Sequence, residues 1–206
     1  MIEAKDSFWG KAFWKRYIPF MIRRDFSSFQ MLGEVTPAPE KSILMIANHV
    51  SWWDGFWAYF ANERLWKKQF YAMMLEEQLH QHPILRWAGG FSINPKSPTS
   101  IRESMRYTKD LLQEPGSLVL LFPQGKIHSL YQKEILFARG AESLLVQQPH
   151  TIQVIFAAAF VDYLQHRKPS VFYYMEEWKG GIPTELGKDY QSFFLQCLER
   201  QKTLEA

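Results

Sequence analysis

His49 and Asp54 are the residues of this chain whose types and spacing are best suited to chemistry. A turn between them can fold the carboxylate back onto the imidazole and hold one ring N–H, which leaves the other ring nitrogen to act as a general base. The same stretch also suits a helix start, because Ser51 followed by Asp54 has a capping-box spacing ahead of an apolar run. On that interpretation Asp54 caps a helix and His49 is a loop residue. The two interpretations are compatible, since Ser51 can cap the helix while Asp54 faces His49.

The flanking sequence places this pair at the end of a strand. Residues 43–47 are an apolar run typical of a short buried strand, and residues 55–60 are typical of the first turns of an apolar helix. In an open α/β sheet, ligands and reacting groups collect at the carboxyl ends of the strands. The sequence therefore predicts a site at that edge of a sheet.

A second unusual loop follows the most apolar predicted strand, residues 117–122. Pro123 removes a backbone donor and ends the strand, and Gly125 allows a sharp turn and a close approach of the backbone to a ligand. An ordinary strand-to-loop turn explains this composition equally well. The loop comprises Phe122, Pro123, Gln124, Gly125 and Lys126.

Strand and helix patterns alternate along the chain and predict an α/β domain with a mostly parallel sheet flanked by helices. The predicted strands are residues 42–47, 70–74, 91–93, 117–122, 151–160 and 171–175. The predicted helices are residues 51–62, 76–87 with a break at Pro83, 97–113, a helix beginning at 139, and 184–204.

Residues 1–30 differ from the predicted domain, which we assign to residues 31–206. Pro19 is expected to kink or end the first helix. An amphipathic aromatic and basic segment of this kind can lie among the headgroups of an anionic membrane, or can pack on the domain as an ordinary helix. Its aromatic and basic residues are Phe8, Trp9, Lys11, Phe13, Trp14, Lys15, Arg16, Tyr17, Phe20, Arg23 and Arg24.

Composition narrows the classes of function. The 206 residues carry a net charge of only +3, which argues against nucleic acid as a partner. Cys197 is the single cysteine, so neither an intramolecular disulfide nor a cysteine zinc site can form. His80 and His82 are two residues apart and do not share a helix face, so we expect no metal site there. We see no apolar run of about 18 residues that would span a membrane, and no signal peptide.

The two loops together resemble the glycerolipid acyltransferase family, which includes the lysophosphatidate and glycerol-3-phosphate acyltransferases. Asn48, His49 and Asp54 match the family's N-H-x-x-x-x-D motif, and residues 122–127 match three of the six positions of F-P-E-G-T-R. Residues 137–141 look like the K/R-G-A segment that follows in the family. The resemblance covers about residues 40–165.

The resemblance implies an acyltransferase of glycerolipid acyltransferase-like fold. His49 is then the general base, Asp54 orients its ring, and Asn48 and residues 122–126 bind substrate. The donor is acyl-CoA or acyl carrier protein, the acceptor is a lipid alcohol, and neither metal nor cofactor is required. We expect a peripheral membrane protein on the cytoplasmic face.

The departures from the family pattern concern the acceptor. The family's second motif ends in an arginine taken to hold phosphate, but residues 91–95 contain none, and Gln124, Lys126 and Ile127 replace glutamate, threonine and arginine. Guanidinium groups are the natural partners of phosphate, so we expect a lipid or glycolipid hydroxyl without a glycerol-3-phosphate head. Lys96 and Lys126 are possible point-charge substitutes. Two alternatives remain open, an acyl-thioester hydrolase and a non-catalytic lipid-binding protein.

Overall fold

A seven-stranded sheet forms the centre of the computed structural model, which describes residues 1–138, 140–146 and 151–204. The strands lie in the order β1-β7-β6-β2-β5-β3-β4, and every neighbouring pair is parallel except β6 and β7. The prediction of a mostly parallel α/β sheet is therefore confirmed. The strands are β1 Ser28–Leu32, β2 Ser42–Ala47, β3 Gln69–Leu75, β4 Gly90–Ile93, β5 Ser117–Leu121, β6 Ile152–Asp162 and β7 Ser170–Glu177.

Helices cover the sheet. They are α1 Phe8–Asp25, α2 Asp54–Leu65, α3 Glu76–Gln81, α4 Pro98–Leu112 and α5 Leu186–Lys202, with 3-10 turns at Pro83–Ala88, Ala141–Leu144 and Pro183–Glu185. The predicted break at Pro83 is confirmed. Among the described residues, no helix has the length and apolar character needed to cross a membrane.

The central strands β2 and β5 place the two loops side by side. Every residue of both strands is buried, as expected for strands covered on both faces. Ile46 pairs with Leu121 in a parallel register, so the chain leaves both strands at the same edge of the sheet. This register positions the loop after β2 beside the loop after β5.

The N-terminal segment differs from the prediction in two ways. Helix α1 runs through Pro19 without ending, because Ile18, Met21 and Ile22 on either side of it are packed in the core. Strand β1 was not predicted, and it pairs with β7. The predicted boundary at residue 30 falls inside β1, so α1 and β1 belong to the same packed unit as the rest of the sheet.

The helix predicted from residue 139 is also wrong. A single 3-10 turn, Ala141–Leu144, forms in its place, and Gly140 precedes it at a φ of +132°, which is far from helical. Arg139 lies outside the described residues.

Candidate active site

His49 and Asp54 are in contact. The His49 Nδ1 atom lies 2.7 Å from the Asp54 Oδ2 atom, with side chains 23% and 2% exposed respectively. His49 lies two residues beyond β2, and Asp54 is the first residue of α2, so the strand end and the helix start fix the pair. Within the described residues, Nε2 of His49 has no hydrogen-bond partner. The ring is therefore held at one nitrogen and available at the other.

Backbone donors complete the environment of Asp54. The N–H groups of Val50 and Ser51 donate to the same Oδ2 atom at 2.6 and 2.9 Å. The contact with the Ser51 N–H has the spacing of the acidic half of a capping box, so Asp54 holds the backbone ahead of α2 as well as the His49 ring. The Ser51 hydroxyl accepts the N–H of Trp53 at 3.1 Å. The predicted contact of Asp54 with His49 is thus present, whereas Ser51 is not the N-cap: α2 begins after Trp53, whose side chain makes no capping hydrogen bond.

Opposing effects act on the Asp54 carboxyl. Burial raises its pKa, while hydrogen bonds from His49, Ser51 and Val50 lower it and favour the carboxylate. The second oxygen, Oδ1, is buried and has no hydrogen-bond partner among the described residues. The carboxyl therefore carries a desolvation cost that its three donors offset in part.

The loop after β5 holds His49 at three points, and we call residues 122–128 the clamp loop. The Phe122 ring stacks on the imidazole with centroids 4.2 Å apart and planes 14° apart. The Gln124 Oε1 atom accepts the His49 backbone N–H at 2.5 Å, and the His128 backbone N–H donates to the His49 carbonyl at 2.9 Å. His128 was not predicted as a site residue, because its contact uses a backbone N–H, which every residue except proline has.

The other residues of the clamp loop are arranged as a tight turn. Gly125 adopts a φ of +67°, and its N–H donates to the Phe122 carbonyl at 3.0 Å. Pro123 is buried, and its carbonyl accepts the N–H of Ala138. The Lys126 side chain is exposed. Within the described residues, the backbone N–H groups of Lys126 and Ile127 donate no hydrogen bond.

Asn48 ties β2 to β6 and does not line an open surface. Its side chain is 1% exposed, its Nδ2 donates to the Ala159 carbonyl at 3.0 Å, and its Oδ1 accepts the Ala159 N–H at 2.8 Å. Both ends of the amide are thereby used by one backbone unit. These contacts fix the chain immediately before His49, and the contact of Asn48 with substrate stays a prediction.

A metal ion has no evident site in the part of the chain that the structure describes, since no group of three or more His, Cys, Asp or Glu side chains is arranged to hold one. His80 and His82 are exposed at the end of α3 and just beyond it.

Comparison with known proteins identifies the family of this chain. A family model described as Acyltransferase matches residues 28–157. The chain belongs to this acyltransferase family. The match includes β1, which sequence analysis had placed largely outside the domain, and both loops of the site.

Two relatives extend the comparison. A 1-acyl-sn-glycerol-3-phosphate acyltransferase from Streptococcus pneumoniae is 27% identical over 97 residues, which are 45% of this chain and 34% of that protein. The aligned part thus spans about a third of that relative. The crystal structure of the 1-acyl-sn-glycerophosphate acyltransferase PlsC from Thermotoga maritima has a similar fold, with a TM-score of 0.62 and 16% identity over 96% of this chain and 80% of that one.

Proposed function

We propose that this protein transfers a fatty acyl group from a thioester, carried by CoA or acyl carrier protein, to the hydroxyl of a lipid or glycolipid. The observation that carries the proposal is the 2.7 Å contact between His49 Nδ1 and Asp54 Oδ2, which leaves Nε2 as an available base. Membership of the acyltransferase family supports the same reaction class.

The reaction follows from this arrangement. His49 Nε2 removes the proton from the acceptor hydroxyl, and Asp54 stabilises the resulting imidazolium. The alkoxide oxygen bonds to the thioester carbonyl carbon, the carbon–sulfur bond then breaks, and the leaving thiolate takes the proton from His49. An ester and a free thiol are the products, and no acyl-enzyme is formed.

The developing oxyanion needs hydrogen-bond donors near His49. Gly125 does not supply one, because its N–H is used inside the turn. The next two N–H groups of the clamp loop, those of Lys126 and Ile127, have no partner in the described structure and are our candidates. One such donor contributes about 3 kcal/mol in comparable sites.

The acceptor we favour lacks a glycerol-3-phosphate head. Ile127 and the segment 91–95 carry no guanidinium group where the family pattern has arginine, and Lys126 offers only a solvated point charge. The Streptococcus pneumoniae relative is named for a phosphate-bearing acceptor, so the two acceptor classes should be compared directly.

Membrane association is part of the proposal. Helix α1 buries one face against α2 and the 3-10 turn Pro83–Ala88, and it leaves a row of aromatic side chains exposed, with Trp9 80% exposed. Two arginines lie in its last turn. Such a surface suits the headgroup region of an anionic bilayer. We place the protein on the cytoplasmic face as a peripheral protein. The exposed aromatic residues of α1 are Phe8, Trp9, Phe13, Tyr17 and Phe20.

The direct test is an assay of purified protein with acyl-CoA or acyl carrier protein and either a neutral lipid alcohol, a glycolipid or 1-acyl-sn-glycerol-3-phosphate. We expect ester formation with the phosphate-free acceptors and a roughly 10²–10⁴-fold loss for His49→Ala. Preference for the phosphate-bearing acceptor contradicts our acceptor assignment. Thioester cleavage without ester product would make the protein a hydrolase. If the His49→Ala variant keeps the function of the parent, the protein is a lipid-binding protein and not an enzyme.

Membrane association is tested by liposome co-sedimentation. Replacing Trp9, Phe13 and Phe20 with serine removes exposed rings without touching the buried face of α1. We expect weaker binding to anionic vesicles than for the unmodified protein. Equal binding by both proteins contradicts the assignment of α1 to the membrane.

A further inference from the structure

The clamp loop contacts His49 through a neutral side chain where the family pattern has a carboxylate. Gln124 is 9% exposed, and its Oε1 atom accepts the His49 backbone N–H at 2.5 Å. A hydrogen bond largely shielded from water is stronger than an exposed one, and removal of its acceptor leaves the donor unsatisfied. The contact therefore restrains the backbone from which the imidazole extends.

A glutamate at this position could accept the same N–H, but it would add a negative charge beside Asp54. Two nearby carboxylates disfavour each other's ionisation, and a second one also favours a protonated imidazole, which cannot act as a base. An amide oxygen supplies the hydrogen bond without either effect. Replacing Gln124 with glutamate would thus change the local charge. Replacing it with an apolar residue would instead remove the hydrogen bond that positions His49.

We propose that Gln124 is a positioning residue, which fixes the His49 backbone for proton transfer and keeps the surroundings of the His49–Asp54 pair free of a second carboxylate. This inference rests on the proposed acyl transfer. On this proposal, Gln124 replaces the glutamate of the family pattern for a reason that is separate from recognition of the acceptor.

The other titratable groups that the structure describes near the pair do not supply a second negative charge. Asp54 contacts His49 from α2, while Lys126 and His128 belong to the clamp loop. Tyr173 of β7 and Tyr190 of α5 interact with Asp54, and burial raises the pKa of each phenol, so both are neutral in the working range. A carboxylate at position 124 would therefore add a second negative charge beside that of Asp54.

Two variants separate the two parts of the proposal. Gln124→Met keeps the size of the side chain but cannot accept the N–H well, and we expect kcat to fall roughly 10–100-fold with KM for the acyl donor nearly unchanged. Gln124→Glu restores the acceptor, so kcat at its pH optimum should return to within a fewfold of the parent. The acid limb of its kcat/KM profile should move to higher pH by about one unit.

Gln153→Met is the matched control. Gln153 is also a buried glutamine with a backbone contact, to the Thr36 carbonyl at 2.8 Å, but it lies near the start of β6, away from the strand ends that carry the site. We expect it to lower the thermal midpoint without changing kcat. A Gln124→Met enzyme with the kcat of the parent, or a Gln124→Glu enzyme with an unshifted pH profile, overturns the proposal.

An NMR titration of the His49 ring tests the electrostatic part of the proposal without measuring turnover. Comparison with His49→Ala assigns the ring signals, and the His49 midpoint should be higher in Gln124→Glu than in the parent. If the parent protein transfers no acyl group, the proposed function fails while a shifted midpoint still supports the electrostatic part of the inference. An active parent with identical midpoints in both proteins refutes that part alone.

Discussion

Asp54→Asn is the substitution for which the structure makes the most specific prediction. A single atom, Oδ2, receives the N–H groups of His49, Val50 and Ser51. An amide nitrogen cannot accept these hydrogen bonds, so the asparagine must place its oxygen where Oδ2 lies. The two backbone donors then hold the amide in that orientation, and the ring of His49 keeps both its position and its tautomer. The negative charge is lost, and the amide nitrogen takes the buried place of Oδ1.

The size of the effect follows from that loss of charge. Hydrogen bonds to charged groups contribute about 1.5–3 kcal/mol and neutral ones about 0.5–1.5 kcal/mol. The difference, with the lost attraction for the imidazolium, predicts a fall in kcat of roughly 10–100-fold. Asp54→Ala also removes the acceptor that orients the ring, and we expect a loss of roughly 10³–10⁴-fold.

Initial rates of thiol release, measured with saturating acceptor, test this ranking. Folded protein is confirmed for each variant by circular dichroism and a thermal melt. If Asp54→Asn is as inactive as Asp54→Ala, the backbone donors do not fix the amide and the reasoning is refuted. If Asp54→Asn retains the full parental rate, the charge has no part in the reaction.

The same substitution changes how stability depends on pH. Burial raises the pKa of the Asp54 carboxyl above its usual 3.8, so the folded state binds this proton more tightly than the unfolded state. The stability that this proton contributes is fully present below about pH 3.8 and is lost as the pH rises through the raised folded value. The parent should therefore lose stability relative to Asp54→Asn over that interval. Urea unfolding of both proteins at stepped pH measures the difference, and a difference of the opposite sign would mean that the three donors outweigh burial.

Two further predictions concern residues beside the pair, and a third concerns Cys197 of α5. Asn48→Ala leaves the N–H and the carbonyl of buried Ala159 without partners, so the free energy of unfolding in urea should fall by about 2–4 kcal/mol; an unchanged value contradicts the role assigned to Asn48. Phe122→Leu removes the ring stacked on His49, and kcat should fall several-fold while the thermal midpoint changes little. Burial raises the pKa of the Cys197 thiol to about 12, so a thiol reagent at pH 8 should label the folded protein only at the rate at which it unfolds.

The sheet and the position of the site were predictable because both depend on strong local patterns. The apolar runs within β2 and β5 strongly favour buried strands, and the turn residues after them mark the strand ends. The pattern was weaker in residues 28–32, where polar and apolar residues alternate over a very short span, and β1 was missed. Its pairing with β7 is a contact across more than a hundred residues, which no local pattern encodes.

The supporting contacts of the site could not be predicted for a related reason. Types and spacing suggested that His49 meets Asp54, but the donors from Val50 and Ser51 are backbone groups that every residue possesses. The contact of Gln124 with the His49 N–H depends on the register of β2 against β5. Asn48 was assigned to substrate on the strength of its motif, whereas its amide is taken up by Ala159.

The carboxylate of Asp54 also bears on the choice between an enzyme and a binding protein. One of its oxygens is buried without a hydrogen-bond partner among the described residues, an arrangement that costs stability. A protein that only bound lipid would have no use for this arrangement, because nothing in binding requires a buried charge beside a histidine. General-base catalysis does require it, since the imidazolium that forms on proton transfer needs a negative partner. The departures at Lys126 and Ile127 leave this pair intact, and Gln124 preserves the hydrogen bond to His49. The changes in the clamp loop are therefore compatible with retained catalysis, and they motivate the proposal of a different acceptor.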